Sequence, residues 1–363
     1  MNSQSPKHGA IVAAGLALLA AFSMAPSARG QNYGPWSPPV NLNNVVLSDG
    51  AVCPAAVNSA SNDSHPAISK DGLSLYFSSN RPGGLGDFDL WVVKRDSLDD
   101  CWRADKLTNL GSVVNSSAED VAPNLSTDGH WLFFHSKRCG GCYGGTVREL
   151  WVTHRRDADE DFGDLGWEPP INLGCAINLA NADNAGPDLF EDESGNLFLY
   201  FTRSLVPNNA AFADIYVSTC SMDLDTCNTQ GLWGTGTKVD ALSSPFRDTR
   251  MAIRRRDGLE IILSSGRPGS LGSENLWVST RPAVTSDQLN WATPEPINCD
   301  SKLGCSVWNP EGLLVNSNAF DGGPALSWDG TELYFFSERM DLPGFAGGRD
   351  LYVAKRTKVI GSN

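Results

Sequence analysis

The sequence lacks the short motifs that mark several common catalytic folds. It contains no Gly-x-Ser-x-Gly elbow, no His-Glu-x-x-His pair and no glycine-rich dinucleotide fingerprint, so none of the enzyme classes built on those motifs is indicated. Histidine is scarce, with five in 363 residues. Long apolar runs are also missing after residue 30, and we therefore expect no insertion into a membrane.

Basic residues are few relative to acidic ones. The chain has 28 Lys and Arg against 42 Asp and Glu, a formal net charge of −14. If the first 30 residues are removed, Lys7 and Arg29 leave with them and the charge becomes −16. Such a surface repels phosphate backbones, so we expect no nucleic-acid partner. The acidic residues are spread along the chain, which favours a role in solubility over an interaction tail.

The first 30 residues are typical of a secretory signal peptide. A weakly basic start precedes an apolar run over about residues 11–24, and Ala28-Arg29-Gly30 offers a small-x-small cleavage site before Gln31. The alternative is a membrane anchor, but the run is short and is interrupted by Ser23. A secreted or periplasmic location is expected.

Nine cysteines in an exported chain predict disulfide bonds. Three pairs are close in sequence, and local bridges are expected for Cys139–Cys142, Cys220–Cys227 and Cys299–Cys305. Three cysteines then remain, of which one is unpaired or intermolecular: Cys53, Cys101 and Cys175. A redox or zinc role for Cys139 and Cys142 is the alternative, although no second ligand pair follows at zinc spacing.

One pattern recurs five times along the chain. Each copy has a short strand, an Asp-Gly or Ser-Gly turn, a second apolar strand, a glycine-rich loop and a third strand. Asp-Gly between apolar runs predicts a hairpin, because such turns need positive φ. With the segment that follows each, the copies lie near residues 61–110, 118–173, 182–242, 246–298 and 319–356.

A Trp-led segment between copies supplies a fourth strand. The fifth copy has no such segment after it, but Trp36-Ser-Pro-Pro-Val-Asn-Leu42 precedes the first copy, within residues 34–43. That N-terminal strand can complete the last blade and remove the open sheet edges. The sequence therefore predicts an all-β fold, a five-bladed β-propeller with four-stranded blades over residues 31–363 as one domain.

The repeats resemble the WD-repeat-like propeller repeats of the TolB type. The resemblance rests on Asp63-x-x-Pro66, Asp71-Gly72, Tyr76-Phe-Ser-Ser-Asn-Arg-Pro-Gly-Gly84 and Asp89-Leu-Trp-Val92, with their counterparts in the other copies. It implies the propeller fold and, by the role of TolB itself, a periplasmic module that binds protein partners. This chain differs in lacking an obvious additional N-terminal domain and in having five copies.

The innermost strand of each blade should line a central channel, with alternate residues facing it. Most positions expected to face the channel are Ala or Gly, and four are not: His65, Asn124, Asp188 and Arg250. A carboxylate, an imidazole and a guanidinium that converge there could form an acid–base or anion-recognition site, with Asp188, His65 and Arg250 catalytic and Asn124 binding. In the alternative, Asp188 and Arg250 pair with each other and plug the channel.

Two further sets of residues repeat with the blades. Where the chain enters each innermost strand, an acidic or amide residue recurs: Asp63, Asp120, Asn184, Asp248 and Asp321. The four aspartates could cap turns between blades, or they could bind a ligand or surround Ca²⁺, the one cofactor that the sequence suggests. After each second strand an arginine recurs: Arg81, Arg138, Arg203, Arg267 and Arg339. We expect these arginines to pair with the carboxylates that open the third strands: Asp89, Glu149, Asp214 and Asp350.

Three functions are compatible with this pattern. The first is a binding or scaffold module, which the resemblance to TolB-type repeats implies, that holds a protein or glycan ligand through the face carrying the insertions 139–148, 204–213 and 340–349. The second is a carbohydrate-active enzyme, a glycoside hydrolase or lyase, that uses carboxylates at the channel mouth. The third is a metal-dependent hydrolase or lactonase. The sequence favours the first function, in a monomer.

Overall fold

The computed structural model describes Met1 and residues 32–156, 166–297 and 315–359, which form five four-stranded antiparallel sheets. In chain order the first strands are β1 (Asn32–Tyr33), β2 (Val40–Asn41), β3 (Asp63–Ile68), β4 (Ser74–Ser79), β5 (Asp89–Lys94), β6 (Arg103–Asn109), β7 (Asp120–Leu125), β8 (Trp131–Ser136), β9 (Glu149–His154) and β10 (Ile171–Asn172). The next are β11 (Asp183–Glu191), β12 (Leu197–Ser204), β13 (Ala213–Cys220), β14 (Thr237–Lys238), β15 (Asp248–Ile253), β16 (Glu260–Ser265), β17 (Asn275–Thr280) and β18 (Glu295–Pro296). The last are β19 (Asp321–Leu326), β20 (Glu332–Ser337), β21 (Asp350–Lys355) and β22 (Lys358–Val359).

The sheets are the five blades of a β-propeller. Their strand orders are β3-β4-β5-β6, β7-β8-β9-β10, β11-β12-β13-β14, β15-β16-β17-β18 and β19-β20-β21-β2. Among the described residues, helical structure is limited to the short helices α1 (Gly111–Val114) and α2 (Leu224–Thr229) and two 3₁₀ turns, Leu42–Asn44 and Ala210–Phe212. The predicted fold class is confirmed.

The N-terminal strand closes the ring as predicted. Val40 of β2 pairs with Val353 of β21, and the side-chain amide of Asn41 donates a hydrogen bond of 2.8 Å to Asp350. A separate two-stranded ladder between β1 and β22 joins the two ends of the described chain next to this blade. Closure pairs the last blade's outer edge, where an open strand would be free to pair with other molecules.

The core lies between neighbouring blades. Five positions predicted to face it are buried, each on an innermost strand: Ile68, Leu125, Leu189, Ile253 and Leu326. The second strands behind them are apolar and almost fully buried, for example Phe77 on β4 and Phe133 on β8. Because burial of one such side chain contributes about 1.5–3 kcal/mol, the repeated apolar strands fix the stacking of the blades.

An arginine just after the third strand clamps the Trp-led segment in four blades. Its guanidinium lies over the Trp ring at 4.1–4.7 Å in the pairs Arg95–Trp102, Arg155–Trp167, Arg281–Trp291 and Arg356–Trp36. Its Nε also donates to a carbonyl of the first hairpin, such as that of Gly72 at 2.9 Å. In the third blade Cys220 occupies the arginine's position and forms a disulfide with Cys227 instead.

Three disulfides occur among the described residues, and one predicted pairing is wrong. Cys220–Cys227 is confirmed, but Cys142 bonds to Cys175 and leaves Cys139 as an exposed thiol. The third bridge joins Cys53 to Cys101. Sequence proximity was a poor guide here because the strand order β9-β10 brings residue 175 next to the loop that precedes β9.

Two predictions fall on residues that the structure does not describe. The Cys299–Cys305 pair and the signal peptide lie outside the described residues. Within the described part of the chain, no helix has the length and apolar character needed to cross a membrane.

Candidate functional site

Each innermost strand carries a β-bulge at the same repeat position. The pairing with the second strand shifts register there, for example between Ser64 and Ala67 and between Thr249 and Met251. The residue at this position has positive φ in all five blades: His65 (52°), Ala122 (72°), Gly186 (59°), Arg250 (44°) and Gly323 (60°). Glycine adopts this backbone without strain, whereas histidine and arginine do not. A bulge re-aims the side chain that it carries, and here it turns two large polar side chains into the channel.

The glycines at this position make room for the two large side chains. A Cβ added at Gly186 would lie 2.6 Å from both Cδ and Nη1 of Arg250. A Cβ added at Gly323 would lie 3.1 Å from Cδ2 of His65 and 2.8 Å from the ring of Phe336. Arg250 and His65 therefore fill space that neighbouring blades leave open.

These side chains help to wall a cavity of about 230 Å³ at the channel end where the innermost strands begin. Its polar lining includes four arginines and two histidines: Arg148, Arg247, Arg250, Arg349, His65 and His135. Phe88, Phe320 and Phe336 supply an apolar wall, and Ala210 comes from the insertion between β12 and β13. The cavity thus opens on the face that carries the insertions, which the sequence analysis selected as the working face.

Both histidines are neutral in the folded protein. Burial, together with the charge of Arg250, holds the pKa of His65 and that of His135 well below the usual value. Nδ1 of His135 accepts the backbone N–H of Gly186 at 3.3 Å, so its Nε2 carries the proton. Nδ1 of His65 lies 3.0 Å from the hydroxyl of Ser64. Neutral imidazoles at a cavity wall can accept or donate a proton or hydrogen bond.

Two carboxylates of the cavity wall share one guanidinium. Nε of Arg148 lies 2.6 Å from Oε1 of Glu119, and Nη1 lies 3.9 Å from Oδ2 of Asp183. Both carboxylates therefore lie at the same guanidinium on the cavity wall. Asp183 also accepts the backbone N–H groups of Arg148 and Asn208, so Glu119 is the less constrained of the two.

A third carboxyl group lies behind the cavity wall. Oε1 of Glu274 is 2.8 Å from Nε of Arg247, and Oε2 accepts a hydrogen bond of 3.3 Å from the hydroxyl of Thr249. Burial raises the pKa of Glu274 to about 7, against the opposing effect of Arg247. Glu274 can therefore hold a proton near neutral pH.

Sequence reasoning did not select Glu119, Glu274 or the arginines 148, 247 and 349. Glu119, Asp183 and Arg247 each come directly before a residue of the repeated set that opens the innermost strands, and they differ between blades. A comparison of the copies one residue earlier would have found them.

The predicted catalytic residues Asp188, His65 and Arg250 line a second cavity of about 30 Å³ together with Asn124, toward the other end of the innermost strands. His65 and Arg250 also line the larger cavity, whereas Asp188 and Asn124 do not. Asp188 accepts the side-chain amide of Asn124 at 2.5 Å and the backbone N–H of Ile253 at 2.7 Å. Its ion pair, at 3.6 Å, is with Arg255. The alternative in which Asp188 pairs with Arg250 is therefore wrong in its partner, and Asp188 serves to join blades.

The ring of aspartates is occupied by protein donors. Each of the four has one oxygen bonded to the backbone N–H and hydroxyl of the serine four residues earlier, as in Asp63 with Ser59 at 2.6 and 2.9 Å. The other oxygen contacts a repeated arginine at 2.5–2.6 Å in the pairs Arg81–Asp63, Arg138–Asp120, Arg267–Asp248 and Arg339–Asp321. All four carboxylates are fully buried, which places them as turn caps between blades and not at the open cavity.

The predicted partners of the repeated arginines are wrong. The carboxylates that open the third strands instead accept N–H groups of the glycine-rich loops, as Asp89 does from Leu85 and Gly86. Glu149 and Asp350 make the same contacts, and Asp214 pairs with Lys238. In four blades the arginine instead contacts the aspartate of the first strand. A serine two residues before the arginine orients it, as Ser79 does by accepting a hydrogen bond from Nε of Arg81. Among the described residues, no group of three or more His, Cys, Asp or Glu side chains is arranged to hold a metal ion.

Comparisons with known proteins place the fold more firmly than the family. No protein-family model matches the chain, and no curated protein matches it. Among solved structures it is similar to an α-L-arabinofuranosidase from Lactobacillus brevis, with 15% identity, a TM-score of 0.52 and coverage of 86% of this chain and 94% of that one. It is also similar to a thermostable family-43 glycoside hydrolase (13% identity, TM-score 0.50, coverage 88% and 94%). An endo-arabinase from Bacteroides thetaiotaomicron VPI-5482 gives 13% identity, a TM-score of 0.50 and coverage of 89% and 98%.

These similarities correct the function that the sequence favoured. At such identities they show the shared five-bladed fold, and the resemblance to TolB-type repeats is not confirmed. The prediction of a binding or scaffold module is wrong, because the structures that share this architecture over nearly their whole length are glycoside hydrolases by name.

Proposed function

We propose that this protein is a carbohydrate-active enzyme, a glycoside hydrolase or lyase, that acts at the channel-mouth cavity. One observation carries the proposal. Two carboxyl groups at the cavity lie in unlike environments: Glu119 lines the wall beside Arg148, and Glu274, with its pKa raised to about 7, lies behind the wall against Arg247 and Thr249. Enzymes divide the roles of acid and base between titratable groups whose surroundings move their pKa values apart.

The cavity has dimensions that suit a sugar. At about 230 Å³ it is smaller than the roughly 300–1,000 Å³ of sites for drug-sized ligands, which favours a ligand as small as a single sugar residue. Aromatic side chains and hydrogen-bonding groups share the wall, as a sugar with apolar faces and polar edges requires. The named glycosidases of the same fold support this class of substrate.

In a hydrolase, Glu274 would act as the general acid and Glu119 as the base that activates water. The acid must hold a proton at the working pH, which the raised pKa of Glu274 allows. In a lyase, a neutral His65 would remove the proton next to a sugar carboxylate as the bond to the leaving sugar's oxygen breaks, and the arginines would stabilise the charge that develops on the carboxylate. Glu119, Glu274 and His65 are thus the residues whose substitution separates the two reactions.

We propose an oxidising compartment for the enzyme, outside the cytoplasm. Three disulfides support this location, since such bonds persist in secreted and periplasmic proteins. A glycan ligand is accessible there. The predicted monomeric state is part of the same proposal.

The test is incubation of the purified protein with a panel of neutral and acidic polysaccharides. New reducing ends without unsaturated products indicate a hydrolase, and ultraviolet-absorbing unsaturated products indicate a lyase. We expect Glu274→Gln or Glu119→Gln to lower kcat by about 10²-fold or more in a hydrolase, whereas Glu295→Gln, on an exposed carboxylate of the outer strand β18, leaves it unchanged. Absence of any product across the panel would contradict the proposal.

A further inference from the structure

We propose that the channel-mouth cavity recognises a sugar carboxylate, so that the ligand is a uronic acid or a glycan that contains one. This inference rests on the proposed function for the nature of the ligand as a sugar, but it assigns an anion subsite by its own geometry. The residues that form the subsite are Arg250, Arg247, Arg148 and Arg349. Nothing in the similarity to arabinose-processing structures of the same fold predicts a charged sugar.

Charge in the cavity opposes the charge of the molecule. The whole chain has a formal net charge of −14, yet four guanidinium groups line one cavity of about 230 Å³. Three of them contact carboxylates, in the pairs Arg148–Glu119, Arg247–Glu274 and Arg349–Glu338. Cations concentrated in a cleft with low-dielectric walls attract an anionic ligand strongly.

Two guanidinium donors of this group are left without hydrogen bonds. Nη2 of Arg250 is buried and has no partner among the described residues. Nε of Arg247 lies near Glu274 but at an angle that leaves its N–H without an acceptor. A buried polar donor without a partner destabilises the folded protein by about 1–3 kcal/mol, and more if charged, so a bound acceptor would remove this penalty.

The backbone at Arg250 points to the same use. Its φ of 44° lies in the left-handed region, where the equivalent residues of the third and fifth blades are glycine. The chain therefore keeps a strained, half-buried cation where glycine fits without strain, and the neighbouring Gly186 leaves space for its guanidinium. Strain retained at a cavity wall is characteristic of binding sites.

The cation itself would be stabilised by an anion. Burial, followed by the charges of Arg148 and Arg247, lowers the pKa of Arg250 to about 9. A carboxylate opposite its planar fork would offset both effects and accept two parallel hydrogen bonds. The neutral histidines His65 and His135 supply hydrogen bonds for hydroxyl groups without adding charge.

The aromatic wall favours a sugar over a free inorganic anion. Phe320 lies under the guanidinium groups of Arg349 and Arg247, at 5.2 and 5.8 Å. The planar cations are thus held against an apolar surface that also faces the cavity. A ligand that carries both a carboxylate and an apolar sugar face matches this wall better than sulfate or phosphate, which offers no apolar surface.

The experiment is calorimetric titration of the full chain with glucuronate and galacturonate, with glucose, galactose and inorganic sulfate as matched probes. We expect a uronate to bind at least about tenfold more tightly than its neutral counterpart and than sulfate, because bidentate charge-assisted bonds are lost in both comparisons. Arg250→Gln should weaken uronate binding by about tenfold or more. Arg156→Gln, which alters an exposed arginine paired with Glu168, should not.

Several outcomes would overturn the proposal: no uronate binding, equal affinity for the neutral sugar or sulfate, or unchanged binding by a folded Arg250→Gln variant. If that variant fails to fold, Arg349→Gln at the more exposed rim gives the same comparison. The result is distinct from the fate of the enzyme proposal. Uronate binding without cleavage of any glycan would contradict only the proposed enzymatic function. Cleavage of neutral glycans without uronate binding would contradict only the proposed carboxylate subsite.

Discussion

The guanidinium of Arg250 occupies the space that a side chain at residue 186 would need. A Cβ at Gly186 would come within 2.6 Å of Cδ and Nη1 of Arg250. The two residues have the same repeat position in adjacent blades, and both have positive φ. The third blade therefore has no side chain at this position, where the fourth blade carries a cation that faces the cavity. The identities of residues 186 and 250 are thus coupled.

This coupling predicts a specific loss in Gly186→Ala. The new methyl group must displace the arginine and must also adopt a φ of 59°, and we expect a loss of about 2–4 kcal/mol in the free energy of unfolding. Urea denaturation measures it. Uronate affinity should fall in the same variant.

The matched control is Gly195→Ala, since Gly195 has a φ of 78° and nothing within 4 Å of the added Cβ. It should lose only the backbone contribution of about 1 kcal/mol. In an Arg250→Ala background, the loss of unfolding free energy caused by Gly186→Ala should fall to a similar value. Equal losses from Gly186→Ala with and without Arg250 would show that the two residues are not coupled.

The aspartate ring predicts a large structural effect away from the cavity. Asp321 accepts bonds from Ser317, Ser337 and Arg339 and is fully buried. Asp321→Ala leaves the Arg339 cation buried and unpaired, so we expect destabilisation by about 3–5 kcal/mol. Asp105→Ala removes an exposed ion pair with Arg103 and should change stability by less than about 1 kcal/mol.

Thermal and urea unfolding of both variants decide the point. A calcium-dependent rise in the melting temperature of the wild type that Asp321→Ala abolishes would instead assign the ring to a cation. If Asp321→Ala and Asp105→Ala lower stability to the same extent, the buried Asp321–Arg339 pair contributes no more than an exposed ion pair.

The five blades could be predicted because their determinants are local and repeated. Turn glycines, apolar strands and the Trp-led segments recur in each copy, and the Trp36 segment before the first copy supplies the strand that the last copy lacks. The direction of His65 and Arg250 toward the channel also followed from comparing copies. Each of these inferences needed only the periodicity of a strand.

The site could not be predicted because bulges and ring closure determine it. A strict alternation along the innermost strand puts Arg250 and Asp188 in one pocket, and both line the smaller cavity, but Arg250 also lines the larger cavity, which Asp188 does not reach. The other cavity arginines, such as Arg148 and Arg349, directly precede third strands in different blades and meet only when the ring closes. Glycine at residues 186 and 323 was the available signal for positive φ at that position.

The disulfides predict an order of stabilities. The Cys53–Cys101 bridge spans 48 residues and the Cys220–Cys227 bridge spans 7. If a disulfide acts mainly on the unfolded chain, the long loop should give about 2 kcal/mol more stabilisation than the short one. We therefore expect the double substitution Cys53→Ala/Cys101→Ala to lower the free energy of unfolding more than Cys220→Ala/Cys227→Ala.

Denaturant unfolding of the two variants, with peptide mapping under non-reducing conditions to verify the remaining bridges, makes the comparison. The native protein should expose Cys139 to a thiol reagent while Cys142 stays protected in its bond to Cys175. A larger loss from the Cys220–Cys227 pair would mean that packing of these buried cysteines in the blade core outweighs loop entropy.

The pH dependence of stability should reveal Glu274. Its pKa rises from the ordinary 4.5 to about 7 in the folded protein, so between these values the folded state binds more protons than the unfolded state. The slope of the unfolding free energy with pH is then negative, and the contribution of Glu274 is lost as pH rises from about 4.5 to 7.

His65 and His135 have lowered pKa values and act in the opposite sense, because their contribution is lost as pH falls below the ordinary 6.5. The wild-type profile combines both effects, so the difference between wild type and Glu274→Gln isolates the carboxyl group.

We expect the unfolding free energy of the wild type to fall by a few kcal/mol relative to that variant as pH rises from about 4.5 to 7. The profile of Glu338→Gln should run parallel to that of the wild type. A flat difference between wild type and Glu274→Gln from pH 4.5 to 7 would mean that Arg247 keeps Glu274 ionised throughout, and it would remove the general acid from the proposed hydrolase.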